Sequence, residues 1–252
     1  MTETISPTIQ QAIDEYANLN LGGKKVVTPY YINDRRRRDL RAMVGKGTPE
    51  EIAMEAQIWA KLKGVNLADL DASQIKEFLS SRNLGVDCSA FIIHTLDPYY
   101  IEKKGHHIWK DIKIPGKGLM AKLRYTLRPV EQLGAELITN ADNSIEVELK
   151  DVQPGDLIRS KAKKTNGQHI MLVSKVVKDD HGNVTEIEYS HSSPYYGKQN
   201  GIKTGIIKIT DINKPLEDQE WLELDEHGVN HTKEGFMHFV EDNGLRRLKS
   251  WQ

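Results

Sequence analysis

The sequence predicts an α+β fold, because its two parts carry different hydrophobic periods. Segments with a helical period lie between residues 8 and 96, and strand-like segments separated by turn signals follow residue 151. The chain has 252 residues, which suits one domain with a sizeable core. We therefore expect a single domain, residues 1–252, in which helices from the first part pack on a sheet from the second.

Four helices are expected in the N-terminal part. Pro7 after Ser6 is a good helix start, and Thr48 with Glu51 has the spacing of a capping box. The expected helices cover residues 8–19, a segment beginning at 48, a segment that begins after 71–73 and ends near 82, and residues 88–96. A short β-prone stretch is expected at 26–32.

The C-terminal part predicts an antiparallel hairpin. The string from Asp179 to Asn183 forms turns readily and separates two apolar segments. Strands are expected at 157–158, 169–177, 184–189 and 202–209. In the less regular middle of the chain, residues 127–137 are interpreted as extended and residues 145–149 as a strand.

The single cysteine, Cys88, follows Asp87 and begins the fourth expected helix. A thiol at a helix N-terminus faces free N–H groups and the positive end of the helix dipole, which lower its pKa and favour the nucleophilic thiolate. The alternative is a small buried hydrophobic residue, which is the usual fate of a lone cysteine. Residue type alone favours the alternative.

Two histidines on the predicted hairpin favour the nucleophile. If Val177 pairs with Asn183, the antiparallel register puts His169 directly opposite His191. Opposed side chains lie on one side of a sheet, with Cβ atoms roughly 4.5–5.5 Å apart. This arrangement supplies a base and a residue that orients it, so Cys88, His169 and His191 form a candidate catalytic triad. Ser190 or Ser192 is an alternative third member.

Three short strings and one histidine, in this order along the chain, resemble the motifs of the NlpC-type, papain-like cysteine peptidases. They are Asp-Cys-Ser-x-Phe at 87–91, Pro-Gly-Asp-Leu at 154–157, His-Ile-x-Leu-Val at 169–173 and the histidine at 191. The resemblance implies a papain-like α+β fold, in which the helix that bears the nucleophilic cysteine packs on an antiparallel β-sheet. It also implies that Cys88 is the nucleophile, His169 the base and His191 the orienting residue, and that the substrates are cell-wall peptides.

The resemblance also implies substrate-binding residues. Tyr30, in a Pro-Tyr-Tyr string, matches a tyrosine upstream of the family's cysteine. Departures from the family are Ala90 in place of a glycine, Asn33-Asp34 in place of Gly-Gly, a helical insertion at about 35–84 and a second insertion at about 98–150.

Asp87 and Ser89 flank the nucleophile, and the resemblance implies that they bind the free amine of a short stem peptide. A carboxylate beside a thiolate raises the thiol's pKa, so Asp87 makes chemical sense if a substrate cation neutralises it on binding. The alternative is that Asp87 caps the helix that begins at Cys88, and the two roles are compatible.

Composition and sequence pattern limit the binding partners, the location and the cofactors that are expected. A net charge of -1 gives no bulk attraction to polyanions, so no nucleic-acid partner is expected. No apolar run is long enough to span a membrane, and the N-terminus lacks a signal-peptide pattern, so we expect a cytoplasmic protein or non-classical export. Adjacent His106 and His107 lack further ligands, so neither a metal nor another cofactor is expected. The basic run at 35–38 is interpreted as solvated surface.

Three functions are compatible with these residues. The leading hypothesis is a cysteine peptidase or amidase that cleaves peptide bonds in peptidoglycan stem peptides. The second is an intracellular thiol deamidase, acyltransferase or toxin-like effector with the same thiol chemistry. The third is an inactive module that binds a peptide in the same groove.

Overall fold

The computed structural model describes residues 1–32, 40–114, 118, 123, 125–161, 168–238 and 242–251. The basic run at 35–38 lies outside them. Across the described ranges the chain forms a mixed α+β architecture with an antiparallel sheet, as the sequence predicts. No helix in these ranges is long and apolar enough to cross a membrane.

The helices of the N-terminal part begin where the capping residues predict. Along the whole of the described chain, the helices are α1 (Pro7–Ala17), α2 (Pro49–Lys63), α3 (Ala72–Ser81), α4 (Cys88–Lys104), α5 (Pro129–Gln132), α6 (Ala135–Thr139) and α7 (His231–His238). Ser6, Thr48 and Asp71 each cap the helix that follows, and Thr48 forms the predicted capping box with Glu51. Helix α4 begins at Cys88 as expected but runs well past its predicted end.

Ten strands complete the described elements. They are β1 (Thr2–Thr4), β2 (Leu19–Leu21), β3 (Lys24–Val26), β4 (Ser144–Val147), β5 (Leu157–Lys161), β6 (Gln168–Lys178), β7 (Val184–Ser193), β8 (Gly201–Lys208), β9 (Glu220–Trp221) and β10 (Gly244–Leu248). Within the described residues, eight of them form one sheet in the order β4-β10-β5-β6-β7-β8-β9, and β1 also pairs with β6. The predicted strands at 157–158, 169–177, 184–189 and 202–209 all lie in this sheet.

Two predicted segments are wrong. Residues 127–137 are not extended but contain α5 and α6, because Pro129 stands at the start of α5, where its missing N–H group costs nothing. Of the stretch 26–32, only Val26 lies in a strand, at the end of the short β2–β3 hairpin.

The sheet separates two hydrophobic cores. Side chains alternate along a strand, so Ile170 and Leu172 of β6 join the core that α1 and α4 cover. Met171 and Val173 join the core on the other face, with apolar residues from the C-terminal part of the chain. Helix α4 packs against β6 and β7, so the cysteine-bearing helix lies on an antiparallel sheet, as predicted.

The register of the β6–β7 hairpin differs from the prediction. Two irregularities in the ladder leave Leu172 opposite Ser190, where the predicted register puts Ile170. The expectation that His169 directly faces His191 is therefore wrong. Because the shift is two residues, and side chains repeat every two residues, both histidines still lie on one face.

The β6–β7 ladder also stops early. It ends at Leu172 and Ser190, although β6 begins at Gln168 and β7 continues to Ser193. We call this opening, between residues 168–171 of β6 and 191–193 of β7, the β6–β7 fork.

Candidate functional site

Cys88 lies at the first position of α4, in the β6–β7 fork. The hydroxyl of Ser192 donates to the carbonyl of Val86 over 2.7 Å. The backbone amide of Ile170 faces the Cys88 thiol and lowers its pKa. The start of α4 is therefore close to both branches of the fork, and the thiol lies near the residue that follows His169.

Asp87 caps α4, which confirms one of its two predicted roles. Its Oδ1 accepts hydrogen bonds from the Ala90 amide at 2.8 Å and the Ser89 hydroxyl at 2.9 Å. Its Oδ2 lies 2.7 Å from Nζ of Lys46, which also donates to the Ser89 hydroxyl over 2.7 Å. The carboxylate is buried, so groups of the chain itself satisfy it.

Lys46 bears on the other predicted role of Asp87 and Ser89, which stays a prediction. Its ammonium already pairs with the Asp87 carboxylate and the Ser89 hydroxyl, so a substrate amine would have to take its place. Sequence reasoning missed Lys46, whose signal is a lysine held between Gly45 and Gly47.

The loop that carries Lys46 is held from two helices. The hydroxyl of Tyr16 in α1 donates to the carbonyl of Gly47 over 2.8 Å, and Nε2 of His94 in α4 lies 3.0 Å from the carbonyl of Lys46. Gly45 has a φ of 78°, and a Cβ there would lie 2.0 Å from the carbonyl of Tyr31. Another residue at position 45 would displace the loop.

The thiol is not activated in the resting site. Burial raises the pKa of Cys88 to about 12, and the Asp87 charge adds to this rise, whereas Lys46 and two backbone amides oppose it. The predicted lowering of the pKa is therefore wrong, because desolvation outweighs the helix N-terminus and the cap carries a negative charge. Cys88 is a protonated thiol at neutral pH, and its attack on a carbonyl needs a base.

The two histidines lie together in the fork. Nε2 of His169 is 2.7 Å from Nδ1 of His191, a hydrogen-bond distance. Nε2 of His191 lies 3.2 Å and 3.0 Å from the two carboxylate oxygens of Glu223. A continuous series therefore runs from the fork through both histidines to Glu223. Sequence reasoning missed Glu223, which lies between Leu222 and Leu224 in a stretch rich in acidic residues that does not single it out.

Burial and neighbouring groups determine the protonation states of His169 and Glu223. Burial lowers the pKa of His169 well below 6.5, and His191 lowers it further, so His169 is a neutral base at neutral pH. Burial alone would raise the pKa of Glu223, but the charge of His191 and hydrogen bonds from His191, Tyr189 and Tyr196 bring it to about 2. The site combines a protonated thiol, a neutral base and an ionised carboxylate.

Two tyrosines lie near the start of α4 and the fork. The ring centroid of Tyr195 lies 6.1 Å from that of His169, edge to face, and the pKa of Tyr195 is raised by burial and by Cys88. The backbone of Tyr30 pairs with Val86 in an isolated parallel bridge, close to the start of α4. Tyr30 stays a predicted substrate-binding residue, and Tyr195 joins it as a candidate.

The adjacent histidines of α4's C-terminal side have structural partners. His106 lies 2.8 Å from Asp111, and His107 lies 2.8 Å from Asp97. Within the ranges that the structure describes, no group of three or more His, Cys, Asp or Glu side chains is placed to hold a metal ion.

No protein-family model matches this chain, and no curated protein or solved structure shows significant similarity to it. The geometry of the site is therefore the basis for assigning a function.

Replacing Lys46 by Met should lower the free energy of unfolding by about 3–5 kcal/mol, because it leaves the buried Asp87 carboxylate without its cation. The double variant Lys46→Met, Asp87→Asn should recover a large part of this loss, since asparagine still caps α4 and carries no charge. Urea unfolding measures both. Lys61→Met, at an exposed position on α2, is the control and should change stability by less than about 0.5 kcal/mol. A loss below about 1 kcal/mol for Lys46→Met would contradict the pairing.

The low pKa of buried His169 makes stability depend on pH. Below pH 6.5 His169 binds a proton in the unfolded chain but stays unprotonated in the folded chain. The free energy of unfolding therefore falls as pH falls, and this residue contributes at most about 1.4 kcal/mol per pH unit. Half-buried His94, whose pKa is also lowered by desolvation, contributes in the same direction. Urea unfolding between about pH 7 and pH 5 should show a smaller slope for His169→Gln, and separately for His94→Gln. A slope that His169→Gln leaves intact would show that His169 is protonated in the folded chain.

Proposed function

We propose that this protein is a thiol-dependent hydrolase of amide bonds, with Cys88 as nucleophile, His169 as base and His191 as the residue that orients the base. The observation that carries the proposal is the hydrogen-bonded series that begins at His169, whose neighbour Ile170 has its backbone amide at the Cys88 thiol, and ends at Glu223. A buried polar series of this kind costs stability unless every group is satisfied, and a catalytic role explains why it exists.

In the first step, the Cys88 proton moves to Nδ1 of His169 as the sulfur attacks the carbonyl carbon of the amide. Nδ1 is the nitrogen available, because Nε2 of His169 is bonded to His191. The resting pair is neutral, so proton transfer and attack occur together rather than from a preformed thiolate.

The oxyanion of the tetrahedral intermediate needs a hydrogen-bond donor close to the sulfur. The backbone amide of Cys88 stands at the first position of α4, where helix amides lack intrahelical acceptors. No described residue accepts a hydrogen bond from it. We assign this amide to the oxyanion, with the positive end of the helix dipole behind it.

In the second step, the intermediate collapses, the C–N bond breaks, and the leaving amine takes the proton from His169. A thioester then joins the acyl group to Cys88. Water attacks the thioester carbon and gives its proton to His169, and the C–S bond breaks to release the acid. The thiol regains its proton from His169, so atoms and charges balance over the cycle.

For the substrate, we propose stem peptides of bacterial peptidoglycan. The strings at 87–91, 154–157 and 169–173, together with His191, support this choice through their likeness to NlpC-type peptidases. The antiparallel sheet and the cysteine-bearing helix on it are compatible with a papain-like fold.

A second candidate is a thiol deamidase or acyltransferase, and Lys46 is the observation that favours it. Because Lys46 neutralises Asp87 within the chain, the site does not need a substrate with a free amine. Amide side chains and internal acyl groups then become possible acyl donors. An inactive peptide-binding module is disfavoured by the completeness of the series around Cys88.

The chain incubated with purified peptidoglycan should release muropeptides with new ends, identified by mass spectrometry. Cys88→Ala should abolish turnover, and His169→Ala should lower it by roughly 10²–10⁴-fold, because the thiol loses its base. His227→Gln, at an exposed histidine, is the control and should retain full turnover. Alkylation of Cys88 without any cleavage would refute the peptidoglycan substrate and support the second candidate. Turnover that survives Cys88→Ala would refute the thiol mechanism.

A free tetrapeptide stem and its N-acetylated form should be cleaved with kcat/KM values within about twofold of each other. The physical reason is that Lys46 already holds the carboxylate that a substrate ammonium would bind. A charge-assisted bond to an ammonium contributes roughly 1.5–3 kcal/mol, or at least tenfold in kcat/KM. A tenfold preference for the free amine would therefore mean that Lys46 yields its place to the substrate.

A further inference from the structure

Glu223 is a buried carboxylate with an unusual set of partners. Besides His191, it accepts a hydrogen bond from the hydroxyl of Tyr189 over 2.8 Å. No described lysine or arginine lies within ion-pair distance of it, so its partner among the described residues is His191, a ring that is charged only when it holds two protons. Burying a carboxylate without a permanent cation is costly, which points to a role for the charge itself.

A carboxylate at this position determines where the protons of both histidines lie. Ionised Glu223 only accepts hydrogen bonds, so Nε2 of His191 carries the proton that it donates. When this is the ring's single proton, Nδ1 of His191 is an acceptor, and Nε2 of His169 donates to it. This leaves Nδ1 of His169 without a proton, as the base at Cys88 requires.

We propose that Glu223 is a positioning residue that sets the active tautomer of His169 through His191. The inference rests on the proposed thiol hydrolase, and it extends that site by one residue. In the reaction, the carboxylate also stabilises the imidazolium that forms when His169 takes the Cys88 proton, because it lies at the far end of the same hydrogen-bonded series.

The surrounding chain is built to hold this carboxylate. A Cβ at Gly205 in β8 would lie 2.3 Å from the Tyr189 hydroxyl and 2.9 Å from Oε2 of Glu223, so a glycine is required there. The Tyr196 hydroxyl donates to the Glu223 carbonyl over 2.9 Å, and Tyr196 has a φ of 72°, rare for a residue with a side chain. Strained backbone of this kind persists where neighbouring contacts enforce it.

The charged groups around His191 are few. His169 lies on β6, Tyr189 lies on its own strand at a ring distance of 5.5 Å, and Glu223 follows β9. Lys203 is the Cα partner of His191 on β8, but its Nζ lies 4.2 Å from the ring centre of Tyr196. Protonation of His191 would make both of its nitrogens donors, and the proton of His169 would then have to lie on Nδ1, the inactive tautomer.

Long-range ¹H–¹⁵N correlation spectra of the labelled protein at neutral pH test the proposal, because they distinguish protonated from unprotonated ring nitrogens. The wild-type protein should show His169 protonated on Nε2 and unprotonated on Nδ1. Glu223→Gln should give a mixture, since an amide both donates and accepts. Tyr189→Phe removes a different hydrogen bond from the same carboxylate and should leave the tautomer unchanged. A wild-type His169 with its proton on Nδ1 would overturn the proposal without any variant.

The rate of Cys88 alkylation by iodoacetamide gives a second readout. Glu223→Gln should slow alkylation at least about tenfold, and Tyr189→Phe less than about threefold. In a His191→Asn background, the asparagine carbonyl can itself accept a hydrogen bond from Nε2–H of His169. Adding Glu223→Gln to that background should therefore slow alkylation by less than about twofold. If Glu223→Gln slowed alkylation equally in the wild-type and His191→Asn backgrounds, Glu223 would act through packing, and the proposal would be overturned.

These readouts need no substrate, so they are independent of the proposed function. A failure to cleave any amide would refute the hydrolase while the tautomer stays as proposed. The reverse result, cleavage with the wrong tautomer, would refute the role of Glu223 alone.

Discussion

The early end of the β6–β7 ladder is the constraint on which the site depends. Beyond Leu172 and Ser190, two strands that still run side by side stop exchanging hydrogen bonds, and their polar groups need other partners. The start of α4 approaches both strands there: the Ser192 hydroxyl donates to the Val86 carbonyl, and the Ile170 amide faces the Cys88 thiol. A fully paired hairpin would leave α4 on the face of the sheet, separated from the histidines that point to the other face.

The site contains two buried carboxylates, and their different partners give them different roles. Asp87 is held by a permanent cation, Lys46, and by the amides and hydroxyl at the helix start, so its charge is cancelled locally. Glu223 is held by His191, a group that can gain or lose a proton. A fixed pair stabilises the helix start, whereas a titratable pair can respond when a proton moves along the series.

The sequence predicts the elements better than the distances between them. Caps and turn residues act locally, so α2, α3 and the start of α4 lie where Thr48, Asp71 and Asp87 indicate. The hairpin register depends on bulges that no local pattern reveals, yet an even shift preserves the shared face of His169 and His191. Lys46 and Glu223 could not be identified because each acquires its role from residues far away in the chain. The thiol's pKa was misjudged because burial is a tertiary property.

Two segments that the resemblance predicts to be insertions, about 35–84 and 98–150, meet at a single side chain. Lys46 lies in the first segment, and its Nζ donates to the carbonyl of Leu133, in the second, over 3.3 Å. The same Nζ reaches Asp87, beside the proposed nucleophile. The two segments therefore bring an internal ammonium to the carboxylate for which the resemblance predicts a substrate amine. The proposed independence from a free amine needs both segments, because neither alone supplies both the lysine and the carbonyl that accepts its hydrogen bond.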